Sequence, residues 1–340
     1  MQSNDSALIC GFLQYLEFRG RAQGTIENYH CQLKRLVDFL VKRGKTLATA
    51  SGDEVQAFAG LHLHELRVQP RSRRPAVAAV RGFYKWARQF NQIEKNPAVH
   101  LHYPRTGRKL PASMQLNALE SMLMEMPLEE FRGVRDAAIV LLLAGTGIRV
   151  SGLVRLNEDD FVLQRDEQDI ESAFVRVSEK GANERLVPVP AEALLMVRAY
   201  LGHPDIDPDK GIIDRTLASG SRVLFVNTRN PTRKECDNVG ESRRLSSSGV
   251  RRMLKKYGRL AGIPEKLCHP HALRHLYATE LVESDVDLVT VQHLMGHRKA
   301  ESSRIYIHLA VRRLRAAADK GNPLGKIRTP TSGLVPLLSR

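Results

Sequence analysis

The sequence predicts a mainly α-helical protein with one small antiparallel β-sheet, in two parts joined by a short basic linker. Three observations lead there. Apolar residues recur at helical spacing through most of the chain, as a helix needs if it is to bury one face. Only three runs, Phe161 to Leu163, Ala173 to Val177 and Arg185 to Val189, read as short strands, and polar turns separate them. The stretch His102 to Pro111 (HYPRTGRKLP) sets three cations between two prolines, which disfavour helix and keep the chain extended.

A chain of 340 residues has room for two cores, and an apolar fraction of 42% excludes wholesale disorder. No apolar run is long enough to span a bilayer, and the opening MQSNDSALICGF has no basic stretch ahead of an apolar core. Neither a membrane segment nor a secretory signal is expected. Cys10, Cys31, Cys236 and Cys268 lie far apart without CxxC spacing, so free thiols in a reducing compartment are expected rather than disulfides or zinc ligands. The formal charge of +15 favours a polyanionic partner, nucleic acid ahead of an anionic membrane.

Two amphipathic helices are expected between Ala7 and Lys42. Ile9, Phe12, Leu13 and Leu16 share a face of the first; Tyr29, Leu33, Leu36, Leu40 and Val41 recur along the second, with Thr25 as its N-cap and Gly20 and Gly24 in the turn between. Asp53 to Leu66 reads as a third helix and Arg74 to Gln92 as a fourth. In the fourth, Val77, Val80, Phe83, Tyr84 and Ala87 form a core stripe with Trp86 at its edge. Arg71, Arg73, Arg74, Arg81, Lys85 and Arg88 crowd the same region with no interspersed acid, which points to a phosphate-facing surface. Asn96-Pro97 closes this unit.

Beyond the linker, Ser113 to Glu125 and Arg132 to Gly145 read as helices, the second apolar enough to be buried. Thr146-Gly147-Ile148-Arg149 then turns into another helix start. A guanidinium beside so apolar a helix needs an anionic partner, either a carboxylate or a bound phosphate. The turn Ser178 to Asn183 carries Lys180 near its tip, and a hairpin tip can extend one cation toward a ligand. Ala191 to Leu201 is helical and His203 to Gly220 a polar loop. Arg222 to Arg259 holds eleven Lys/Arg against three Asp/Glu, including Arg243, Arg244, Arg251, Arg252 and Lys255. There Ser246-Ser247-Ser248 supplies an N-cap, and Val250, Met253, Leu254, Tyr257 and Leu260 form an apolar face. The basic face of that helix suits a DNA groove. From Gly321 the chain is broken by Pro and Gly, with one apolar cluster at Leu334 to Leu338.

The remaining stretch, Cys268 to Leu309, carries the chemistry. His271 and Arg274, three residues apart, share a helix face; Gly296-His297 follows an apolar helix, and Tyr306 lies nine residues past His297. Cations and imidazoles gather an anion, arginine by bidentate bonds to phosphate oxygens, and a phenol stands where it could attack. Five histidines between His269 and His297 could suggest a metal. The spacing is not HExxH and no carboxylate separates His271 from His275, so no metal and no cofactor are expected.

In order and spacing, Arg149, Lys180, His271-x-x-Arg274, Gly296-His297 and Tyr306 resemble the tyrosine recombinases, or phage-type integrases. GTGIRVS is similar to the family's first-arginine box and SEKGANERLVPVP to its lysine hairpin. HPHALRHLYATEL is similar to its HxLRH box and HLMGHRKAESSRIYIHL to its GH…Y box. Two departures stand out: Gly152 occupies the usual glutamate position of RxSEL, and Leu276-Tyr277 replaces a commoner small polar-aromatic pair.

The resemblance implies a SAM-like helical core-binding domain over 1–103, a linker over 104–112, an α+β catalytic domain over 113–320 and a tail over 321–340, the two domains forming a C-shaped clamp on DNA. It implies a pocket of Arg149, Lys180, His271, Arg274 and His297 with Tyr306 as nucleophile. The DNA-facing set is Arg74, Arg81, Lys85, Arg243, Arg244, Arg251, Arg252 and Lys255. Partners implied are double-stranded DNA at specific sites, a homo-tetramer on two duplexes and an accessory DNA-bending protein, in a bacterial cytoplasm at the nucleoid. The competing readings are a type IB topoisomerase-like relaxer and a catalytically silent DNA-binding protein.

Overall fold

The apolar spacing of the first ninety residues closes into one helical unit. The computed structural model describes residues 2–105, 114–165, 171–179, 183–207, 213–228, 239–284, 286–296 and 317–330. The chain divides into two compact units, Met1–Leu110 and Pro111–Arg340.

In the first unit α1 (Gln2–Phe18) and α2 (Gln23–Val41) are joined by a turn through Gly20 at φ +66°. Helix α2 starts from Ala22 rather than Thr25, without a side-chain cap, because the Ala22 carbonyl takes the amides of Thr25 and Ile26. The third helix comes in two pieces, α3 (Gly52–Ala57) and α4 (Leu63–Glu65), around a wider turn at Phe58–His62. Ser51 and Glu54 close a reciprocal capping box at its start. Helix α5 (Pro70–Gln89) begins four residues ahead of Arg74, with Pro70 in its first turn, where a missing N–H costs nothing. Its stripe is buried as expected: Val80, Phe83, Tyr84 and Ala87 are wholly enclosed, and Trp86 packs on Phe12 and Phe83. One residue is held by both its backbone groups, the Leu47 amide by the Asp5 carboxylate and the Leu47 carbonyl by the Tyr84 hydroxyl, each at 3.0 Å.

The second unit is built on α7. Helix α6 (Leu116–Met124) precedes it, and α7 (Phe131–Thr146) is buried along almost its whole length. Short α8 (Val150–Leu153) leads to strands β1 (Phe161–Arg165), β2 (Glu171–Glu179) and β3 (Asn183–Val189). They form one antiparallel sheet in the order β1-β2-β3, with Phe161 opposite Val175 and Val175 opposite Val187. Buried Ala173, Val175, Val177 and Val187 alternate onto the core face. Helix α9 (Ala191–Leu201) lies along α7. Helix α10 (Ser247–Leu260) starts at Ser246, whose hydroxyl accepts the Gly249 amide. Val250, Met253, Leu254 and Tyr257 are buried there, but Leu260 is 55% exposed, one turn beyond the core. Helices α11 (Pro270–Glu283) and α12 (Leu288–Met295) complete the unit.

The start of the expected tail is part of this body. Leu324 is buried, and Lys326 pairs with the nearly buried Glu280 of α11. The apolar cluster Leu334 to Leu338 lies outside the described residues. No helix among the described residues is long and apolar enough to cross a membrane.

Candidate active site

At the end of α7 the chain must turn sharply under the core, and Gly147 makes that turn at φ +60°, a conformation open to glycine. Its amide caps Leu143, Ile148 is buried, and Arg149, half-buried, is the N-cap residue of α8. The Tyr277 ring of α11 closes on the turn so tightly that a Cβ on Gly147 would lie 2.3 Å from it. The Leu276-Tyr277 pair is therefore a packing device: Tyr277 is fully buried, and burial pushes its hydroxyl pKa well up.

Arg274, only 6% exposed, draws two remote turns together. Its Nη1 donates to the Gly147 carbonyl at 2.5 Å, and its Nη2 donates to the Met295 carbonyl at the end of α12. Gly296, at φ +60°, follows directly. One guanidinium thus touches the turn that leads to Arg149 and the turn that leads to His297. A buried cation demands such partners, and charge-assisted bonds to carbonyls fix its plane.

His271 sits in the first turn of α11, which is capped by His269 Nδ1 accepting the Ala272 amide at 3.0 Å. Partial desolvation, then the charges of His269, Arg274, His275 and Arg251, hold the His271 pKa below its ordinary value. The neutral ring, able to accept a proton, is therefore the form at neutral pH. A reaction that uses this ring as a base is expected to fall to half its rate only below about pH 6.5, the ordinary imidazole value. Initial rates of DNA cleavage against pH test this; a decline centred at or above that value, or one unchanged in His271→Gln, contradicts it.

The β2–β3 hairpin ends in the pair Glu179 and Asn183. Lys180, between them, lies outside the described residues, as do His297 and Tyr306. At the hairpin's root Arg185 Nη1 donates to the carbonyls of Leu294, at 2.5 Å, and His293, at 3.3 Å. The motif reading passed over Arg185, since an arginine on a half-exposed strand carries no pattern of its own. Gly152, the other departure, has a packing cause: a Cβ there would lie 2.7 Å from Val177 Cγ1 on β2.

The expected DNA-facing residues divide. Lys85, Arg251 and Arg252 are exposed on α5 and α10. Lys255 is exposed but pairs with Glu265 at 2.6 Å. Arg74 and Arg81 lean over the Tyr103 ring, 5.1 and 5.5 Å from its centre, and Arg81 also donates to the Leu101 carbonyl. Arg243 and Arg244 are a correction. Arg243 is 3% exposed, and Arg244 donates to the carbonyls of Val154 and Leu156, to Asn157 and to Glu241. Arg244 thus helps satisfy carbonyls of the chain leaving α8, and Arg243 is enclosed beside it. Among the described residues, no group of three or more His, Cys, Asp or Glu is placed to hold a metal.

A model of the phage integrase family matches residues 113–313, and one of the phage integrase N-terminal SAM-like domain matches residues 9–90. The chain is 31% identical to the tyrosine recombinase XerC of Syntrophus aciditrophicus (strain SB), over 93% of this chain and 97% of that protein. It is 30% identical to the tyrosine recombinase XerD of Yersinia pestis, over 95% and 99%. Among solved structures, the XerH site-specific recombinase bound to palindromic difH substrate shares the fold with a TM-score of 0.63 at 19% identity, over 88% of this chain and 81% of that one. A lambda integrase dimer bound to a COC′ core site shares it with a TM-score of 0.59 at 18% identity, over 88% and 98%.

Proposed function

The chain belongs to the phage integrase family, the tyrosine recombinases, and from that premise we propose a site-specific DNA recombinase that cuts and rejoins strands through a 3′-phosphotyrosyl intermediate. The observation that carries the reading is the Arg274 guanidinium on the carbonyls of both Gly147 and Met295. It ties the first-arginine turn to the turn before His297, although the two are far apart in sequence.

The roles follow from charge. Attack on a phosphodiester builds negative charge on the nonbridging oxygens, and Arg149 and Arg274 are the clamp for them. Tyr306 attacks; its phenol, with an ordinary pKa of about 10, gives up its proton with help from neutral His271. His297 hydrogen-bonds the same phosphate. Lys180 protonates the departing 5′ oxygen, leaving a free 5′ hydroxyl and a phosphotyrosyl ester. The ester conserves the energy of the broken bond, so the 5′ hydroxyl of a second duplex reverses the step without ATP. Two duplexes present four scissile phosphates, hence a tetramer on DNA. Lys85, Arg251 and Arg252 remain as phosphate contacts. The same chemistry serves integration and excision, transposition, and resolution of replicon dimers; an accessory DNA-bending protein fits any of them.

The test is a nicked suicide duplex carrying the cognate site. A covalent complex should form, digestion should yield a Tyr306 peptide joined through a phosphate to the 3′ oxygen of a nucleotide, and a second duplex should convert the complex to a joint product. Relaxation of any supercoiled plasmid without a joint product assigns a topoisomerase-like relaxer instead. Binding without an adduct assigns a silent DNA-binding protein.

A further inference from the structure

The hydrogen bonds at the end of α12 involve a residue outside the catalytic set. The final carbonyls of a helix have no intrahelical donor and carry partial negative charge, and the last turn of α12 contains no Lys or Arg of its own. Two guanidiniums from elsewhere fill this gap. Arg185 of β3 takes the Leu294 carbonyl and shares that of His293 with the Gly296 amide, and Arg274 of α11 takes that of Met295. Arg185 stands opposite Val177, two ladder positions from the closing pair Glu179 and Asn183, and only residues 180–182 separate that pair. Any shift of the hairpin root against α12 therefore shifts the chain on either side of Lys180.

We infer that Arg185 is a positioning residue that pins the β2–β3 hairpin to the end of α12, so that the hairpin's closing pair, Glu179 and Asn183, and the turn at Gly296 keep a single spacing. Because Arg274 holds the adjacent carbonyl, the two arginines make α12's end the common anchor of hairpin and α11. The inference rests on the reading of Lys180 as the acid for the leaving 5′ oxygen. An arginine suits the task, since its planar, always-charged guanidinium holds Nη1 between the two carbonyls; an ammonium is a single point charge on a flexible stem.

The test compares single-turnover cleavage of two suicide duplexes, one with the ordinary 5′ oxygen and one with a 5′-bridging phosphorothioate, whose thiolate leaves without a proton. Arg185→Ala should slow the oxygen substrate at least tenfold with unchanged DNA affinity, and the phosphorothioate should restore most of the loss. Lys180→Ala, run beside it, should show the same rescue, and Arg185→Lys should fall between wild type and alanine on the oxygen substrate. A merely structural role for Arg185 would slow both substrates equally. Rescue of Lys180→Ala without rescue of Arg185→Ala overturns the inference and leaves the lysine's role standing. Absence of rescue in Lys180→Ala overturns both. Should Arg185→Ala fail to fold, Arg185→Gln carries the same comparison.

Discussion

Replacing Arg274 with alanine is expected to lower strand cleavage about a thousandfold or more while DNA affinity falls only a few-fold. Loss of one preorganised donor to a developing anion costs roughly 10²–10³ in rate, and this side chain brings a charge and several donors. Affinity survives because duplex binding is spread over many phosphate contacts. The side chain also satisfies the buried carbonyls of Gly147 and Met295, and each acceptor left without a partner costs about 1–3 kcal/mol. A lower melting temperature is therefore part of the expectation. Arg274→Lys should restore little, since an ammonium cannot span both carbonyls and still clamp a phosphate. Single-turnover rates on a suicide duplex, beside anisotropy binding at one salt concentration, decide it. Equal loss of rate and affinity would remove Arg274 from the chemistry.

Gly147→Ala is expected to be nearly as damaging, through the fold. An alanine at φ +60° pays about 1–2 kcal/mol for its backbone alone. Its Cβ would also meet the Tyr277 ring at 2.3 Å, and overpacking a rigid core adds roughly 1–3 kcal/mol. A total loss of about 2–5 kcal/mol in urea unfolding is expected, with cleavage lost as the Arg274 acceptor moves. Gly262→Ala is the control, because Gly262 sits at φ +68° with nothing within 4 Å of the added Cβ; it should cost only the backbone part. Equal effects of the two substitutions would show that the ring contact is unimportant.

Much of the fold was legible because its signals are local. Helix α9 has the bounds read for it, Ala191 to Leu201, since Pro190 and Gly202 flank an unbroken helical pattern. The α5 stripe and the Ser246 cap were equally readable, as periodicity and capping each depend on a few adjacent residues. Errors fell at boundaries. Thr25 looked like a cap by type, but the backbone entered the helix from Ala22 instead. The fourth helix, read from Arg74, starts at Pro70 instead.

Within the candidate site, residue order was enough to suggest the chemistry and the family, but not the use of each arginine. Arg243 and Arg244 look like Arg251 and Arg252 in a string of letters. Yet Arg243 is buried and Arg244 donates to carbonyls about ninety positions away, whereas the later pair is exposed. The sequence by itself determined which segments become helix or strand, which faces are apolar, and which residue types stand in the motifs. Tertiary structure alone decided that Arg274 meets Gly147 across 127 residues, that Arg185 reaches the end of α12, and that a Cβ on Gly152 would press on Val177. Periodicity acts over a few residues, whereas the need of a buried carbonyl for a donor is met by whichever side chain the packing brings within about 3 Å.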